Sequence, residues 1–229
     1  MAVLGAASLG FGVLAIIGAQ WDTEILSTLD VEELPGDLRK AIGLSEVFAH
    51  GLGVAAIYLA ILISCEPKRR SKVAMSVLLT LTAGLLANGM KSMFVRIRPH
   101  SVNEVVVQAD SSAGEAANLA AGQEGEPPEV VKPSFWDARQ RSFPSGHAAT
   151  AWGLAIGLSY VFPRGKYFFG ILAVLACFQR LTSGAHFPSD VLAGSAIAFL
   201  SSALLISLPK IGQVLCEDED ASDRIEKGD

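Results

Sequence analysis

Three groups of side chains in this 229-residue sequence have the types and spacing to do chemistry on an anion. The richest is Arg180-Leu-Thr-Ser-Gly-Ala-His186-Phe-Pro-Ser-Asp190, which lies between two apolar runs. An Arg, a His and an Asp at a membrane edge are costly to bury and point to function. His186 and Asp190 are four residues apart, and Pro188 suits a first helical turn. On such a turn Asp190 accepts a hydrogen bond from one ring nitrogen of His186. That fixes the tautomer and leaves the other nitrogen free to attack, with Arg180 holding a phosphate. The alternative is a buried Arg180–Asp190 ion pair that locks a loop, which leaves His186 without a task.

The second group is Lys91 and Arg98, seven residues apart. If the helix that carries Lys91 continues, both cations lie on one face, about 10 Å apart along the axis, and bracket a small polyanion. A basic edge snorkelling to lipid headgroups is the alternative. The third group is Pro144-Ser145-Gly146-His147 at the start of an apolar run. A helix N-terminus offers free N–H groups and positive dipole to an anion. Gly146 admits close backbone approach, Ser145 caps or donates, and His147 carries a proton. An ordinary helix start with a chance His fits these residues as well. No carboxylate cluster or Cys/His set has the spacing to hold Mg²⁺ or Zn²⁺, so no metal or other cofactor is expected.

The elements that must position these groups read as membrane helices. Half of the residues are hydrophobic, 18% are charged, and the mean hydropathy is positive. Six apolar stretches are expected to span: 2–20, 47–64, 73–90, 143–162, 167–182 and 191–208. The first lacks a basic flank and is read as a retained helix. His50, near the start of the second, is read as a packed or interfacial imidazole. A short helix is expected near 38–44, after Pro35-Gly36-Asp37. Cys65, Cys177 and Cys216 are odd in number and fit no metal pattern, so they read as reduced thiols. The fold class is therefore all-α: a polytopic bundle of six transmembrane helices with a long extracytoplasmic loop. The domain division is 1–210 for the bundle, with residues 100–140 as an insertion loop, and 211–229 as a charged cytoplasmic tail.

Topology gives a check independent of motifs. The short basic loops, 66–72 and 164–166, belong in the cytoplasm. Six spans then put both termini inside. The loops 21–46, 96–144 and 183–189 fall outside, and with them every candidate group. The net charge of −5 comes from 104–129 and 217–229 and argues against nucleic acid as a partner.

Lys91-x6-Arg98-Pro99, then Pro144-Ser145-Gly146-His147, then Arg180-x5-His186-x3-Asp190 resembles the three-part signature of the type 2 phosphatidic acid phosphatase family, which includes the vanadium haloperoxidases. The resemblance implies that His186 is a nucleophile forming a phosphohistidine, that Asp190 is its partner, and that His147 protonates the leaving oxygen. It implies that Lys91, Arg98, Arg180, Ser145 and the backbone of Gly146 hold phosphate oxygens without a metal. One position departs: the family usually has Ser before the third-motif Arg, and this sequence has Gln179. The expected protein is an integral membrane lipid phosphatase, in an inner or plasma membrane, with an extracytoplasmic site and a lipid phosphate or diphosphate as substrate. A lipid phosphotransferase and a non-catalytic anionic-lipid-binding protein are the rivals. The particular lipid and the oligomeric state stay open.

Overall fold

The computed structural model describes residues 2–29, 33–100 and 141–216. The expectations for the loop within 101–140 and for the tail from 217 lie outside the described residues. Nine α-helices follow one another among those described: α1 Ala2–Gly18, α2 Asp22–Ser27, α3 Gly36–Leu44, α4 Gly51–Ser64, α5 Arg70–Met90, α6 Gly146–Val161, α7 Lys166–Thr182, α8 Pro188–Ser207 and α9 Pro209–Cys216. No strand is present among the described residues; a single parallel bridge joins Arg96 to Arg141. Each of the six stretches expected to span carries a helix. Two stretches, Pro67–Met93 and Pro188–Ser207, are long and apolar enough to cross a membrane. Gly36–Phe48 and Gly51–Ser64 pass that test only together, across a 73° bend. Ala2–Gly18 is a shorter apolar helix.

Helix α6 is the centre of the bundle, packed between α5, α7 and α8. Its inward positions are small (Ala148, Ala149, Ala151, Ala155), and all are buried. Small side chains let helix backbones approach closely where lipid offers no hydrophobic drive for association. One polar cluster ties α4 to α5: Tyr58 Oη lies 2.7 Å from both Ser76 Oγ and Thr80 Oγ1. Helix α1 lies along α8, with Ser8 Oγ donating to the carbonyl of Ala196 at 3.0 Å. The outer faces carry exposed Leu59, Ile63, Leu81, Leu85, Ile171 and Leu204, the pattern of a surface that meets lipid. Helix α9 stands where the sequence suggested the tail, and its Ile211 and Leu215 pack with Leu79, Ile156 and Ile206.

The condition placed on Lys91 and Arg98 is not met. The helix that carries Lys91 does not continue to Arg98. It ends at Met90, Lys91–Met93 forms a 3₁₀ turn, and Phe94 is extended. Pro99 disfavours helix for the residue before it, and β-branched Val95 and Ile97 favour extended backbone. Lys91 and Arg98 therefore reach the site from a helix end and from an extended strap, not from one helical face.

Candidate active site

Backbone bonds stitch the three motifs together at one end of the bundle. The amide of Ser142 donates to the carbonyl of Arg96 at 3.0 Å, and that of Ser145 donates to Asp190 at 2.9 Å. His100 donates from its amide to the Gly184 carbonyl at 3.1 Å, and its Nδ1 lies 2.9 Å from the same oxygen. Gly184 has φ +62°, a left-handed turn that glycine adopts without strain, and it reverses the chain after α7. Gly194 is needed for close approach: a Cβ there would stand 2.2 Å from the Ser145 carbonyl oxygen. The short basic turns sit at the opposite end, where Glu66, Arg69 and Phe162 line one hollow.

His186 is 1% exposed and Asp190 is fully buried. Asp190 Oδ2 accepts from Ser142 Oγ at 2.5 Å and from the Phe187 amide at 2.8 Å. His186 Nδ1 lies 3.7 Å from that same oxygen, an electrostatic contact rather than the direct hydrogen bond expected. Ser142 Oγ, 3.5 Å from Nδ1, stands between the two. A carboxylate and a hydroxyl facing Nδ1 keep the ring proton there, which leaves Nε2 with its lone pair free. Burial holds the His186 pKa below its ordinary value; Asp190 opposes this, and Lys91 and Arg98 add to it. The fold thus favours the neutral imidazole over the imidazolium.

The cations gather around this ring. Burial and the neighbouring charges of Arg180 and Arg141 hold the Arg98 pKa below its ordinary value. Among the described residues, Arg98 Nε and Arg141 Nε are buried without a hydrogen-bond partner. Like charges this close, with donors unspent, suit an anion that accepts from several of them. Arg180 is tied down: its Nε donates to Gln179 Oε1 at 2.5 Å and its Nη2 to Glu46 Oε1 at 2.9 Å. Gln179 Nε2 reaches the other oxygen of Glu46 at 3.4 Å. The departing residue therefore acts on Arg180 itself. Ser145 caps α6, accepting from the Ala148 amide at 3.3 Å, so Gly146 and His147 form the first turn as expected.

A cavity of about 710 Å³ opens beside these groups. Lys91, Gly146, His147 and His50 line its polar end, and Leu59, Leu62, Leu81 and Leu85 line the rest between α4 and α5. The His50 and His147 rings stand 6.3 Å apart. His50 thus stands beside the site. Sequence reasoning also missed Arg96, Ser142, Arg141, Asp22 and Glu46. Ser142 and Arg141 directly precede Phe143-Pro144-Ser145-Gly146-His147, and Asp22 is a carboxylate at the edge of an apolar stretch, the signal that singled out Asp190.

The PAP2 superfamily pattern matches residues 72–211, more than half of the chain and all three motifs. The chain belongs to the PAP2 superfamily. Among its PAP2 relatives, a protein of Rhizobium etli named lipid A 1-phosphatase is 42% identical over 114 residues, which are 50% of this chain and 40% of that protein. A protein of the same name from Rhizobium johnstonii is 35% identical over 86 residues, 33% of this chain and 35% of that protein. The chain thus matches less than half the length of these curated relatives. No solved structure matches this PAP2 chain.

Proposed function

We propose that this chain is an integral membrane lipid phosphatase that works through a phosphohistidine on His186. The observation that carries the reading is a buried His186 beside cations with unspent donors, next to an apolar cavity whose lining includes Lys91, Gly146 and His147. The phosphate lies among Lys91, Arg98 and Arg180, with Ser145 and the Gly146 amide at the start of α6. His186 Nε2 attacks phosphorus, and His147 gives a proton to the departing lipid oxygen. Water then cleaves the P–N bond, with His147 taking the proton. Asp190 stabilises the imidazole as its charge rises. Phosphoryl transfer is mainly positioning and charge stabilisation, and here the cations supply the stabilisation without a metal.

The lipid tail lies along the apolar wall between α4 and α5, so the substrate stays in the bilayer while its phosphate reacts. Six spans, cytoplasmic termini and an extracytoplasmic site complete the reading. The name shared by the two relatives favours a lipid A phosphate over phosphatidic acid, phosphatidylglycerol phosphate or a polyprenyl diphosphate. Phosphate release from these four substrates in the presence of EDTA tests the reading. Lipid A phosphate is expected to be turned over fastest, with an acid-labile phosphoenzyme in the wild type and none in His186→Ala. Turnover abolished by EDTA, or preserved in His186→Ala, would overturn the mechanism.

A further inference from the structure

Asp22 lies outside the stretch that matches the PAP2 superfamily, and the phosphatase reading gives it no task. It is nevertheless 3% exposed, and buried carboxylates persist only when paired. Its Oδ1 accepts from the Ser189 amide at 2.8 Å. Its Oδ2 accepts from Ser189 Oγ and from Arg96 Nη2, the latter at 2.5 Å. Arg96 Nη1 donates to Asp190 Oδ1 at 2.5 Å and to Ser189 Oγ at 2.8 Å. The guanidinium also lies over the Phe187 ring, 4.4 Å from its centre. The first amides of a helix lack partners within it, and Phe187 at the N-cap offers no side-chain acceptor. Asp22 supplies one from another element. It thus touches both the helix start that carries Asp190 and the cation that holds Asp190.

We propose that Asp22 is a positioning residue for the His186–Asp190 pair, acting through Arg96 and Ser189. This rests on the phosphatase reading. One positive charge on Arg96 is shared by two carboxylates, so Asp190 keeps negative charge to spend on His186. Without the charge of Asp22, Arg96 acts on Asp190 alone, and the field at His186 turns more positive. The charged and titratable groups facing His186 are Lys91, Arg98, His147 and Asp190, and all stay in place. A more positive field disfavours the imidazolium. The acid limb of the pH–rate profile therefore moves to lower pH, and the imidazolium that forms during attack is held less well.

The test uses the full chain purified in detergent, with phosphate release from lipid A phosphate measured against pH. Asp22→Asn keeps an acceptor for the Ser189 amide and loses the charge, together with the oxygen that accepts from Ser189 Oγ and Arg96 Nη2. Its kcat is expected to fall about 10-fold, the scale of one lost hydrogen bond to a charged group, with KM nearly unchanged and the acid limb displaced downward. Wild-type kcat with an unmoved limb overturns the proposal. So does an equal loss at every pH that tracks a fall in melting temperature. Should Asp22→Asn fail to fold, Ser189→Ala carries the test, because it keeps both charges and removes the hydroxyl they share. It is expected to lower kcat about 3-fold at unchanged KM, and wild-type kcat would overturn the proposal. A wild type that releases no phosphate from any lipid phosphate sinks the phosphatase reading and this role together. Wild-type turnover beside an unaffected Asp22→Asn sinks this role alone.

Discussion

The two sides of the site differ in how fully their polar groups are used. On the acidic side, Asp190 accepts from Ser142, Phe187 and Arg96, and Arg96 in turn is shared with Asp22 and Ser189. On the cationic side, Arg98 Nε and Arg141 Nε are buried with donors unspent. A saturated network is rigid and costly to disturb, since breaking one bond strands its partner. An unsaturated cluster of like charges is held against its own repulsion by the surrounding fold. The contrast separates the two sides: one fixes the histidine, and the other leaves like-charged donors open.

The sharpest way to break the contrast is to remove a cation that has spare donors. Arg98→Ala is expected to lower kcat/KM about 100-fold, the usual scale for a lost donor to a developing oxyanion. The protein itself is expected to melt no lower than the wild type, because a like charge has been taken away. Arg141→Ala should follow the same pattern with a smaller loss in rate. Steady-state kinetics and a melting curve on the same preparations check both halves. Melting temperatures that fall together with activity would mean the cations are structural, and the contrast would be lost.

A pH series sharpens the acidic side. The His186 pKa is lowered in the fold, chiefly by burial. The unfolded chain then takes up this proton first, as pH falls through about 6.5, so the neutral buried ring contributes stability above that value and loses it below. The same sign holds for activity: the acid limb of kcat/KM is expected to lie below the ordinary histidine value of about 6.5. A profile that falls already at pH 7 would place a protonated His186 in the free enzyme and contradict the neutral nucleophile.

Much of this was legible in the sequence, for identifiable reasons. Apolar stretches of near-spanning length gave the helices, because in lipid the backbone has few other ways to satisfy its polar groups. His186, Asp190, His147 and Arg180 were legible because charged groups beside such stretches are expensive. The continuation of α5 through Arg98 was not, because it turned on Pro99 and on pairing of Arg96 with Arg141, a partner beyond the stretch 101–140. Asp22 and Glu46 were illegible as partners for the same reason. Each is bound to a group more than seventy residues away, Asp22 to Arg96 and Ser189, Glu46 to Arg180. Local pattern carries no trace of such pairings.

The smallest expected effect falls where the two sides meet. Arg180 is the cation whose donors are already engaged, by Gln179 and Glu46, and in this it resembles Arg96 more than Arg98. Gln179 is long enough to hold Arg180 Nε and to touch Glu46 as well. Serine, the usual residue of the family at this position, has too short a side chain to make both contacts. Gln179→Ser therefore releases Arg180 from one of its two holders while leaving the charge of Glu46 in place. A looser Arg180 loses some preorganisation for phosphate, and a shift of about 2- to 5-fold in KM at nearly constant kcat is expected, the scale of one neutral hydrogen bond. Glu46→Gln in the same background should raise KM further, because the remaining holder of the guanidinium then loses its charge. If Gln179→Ser instead lowers kcat and leaves KM alone, Arg180 belongs functionally with the acidic side, and the boundary between positioning and binding runs between Arg180 and Arg98.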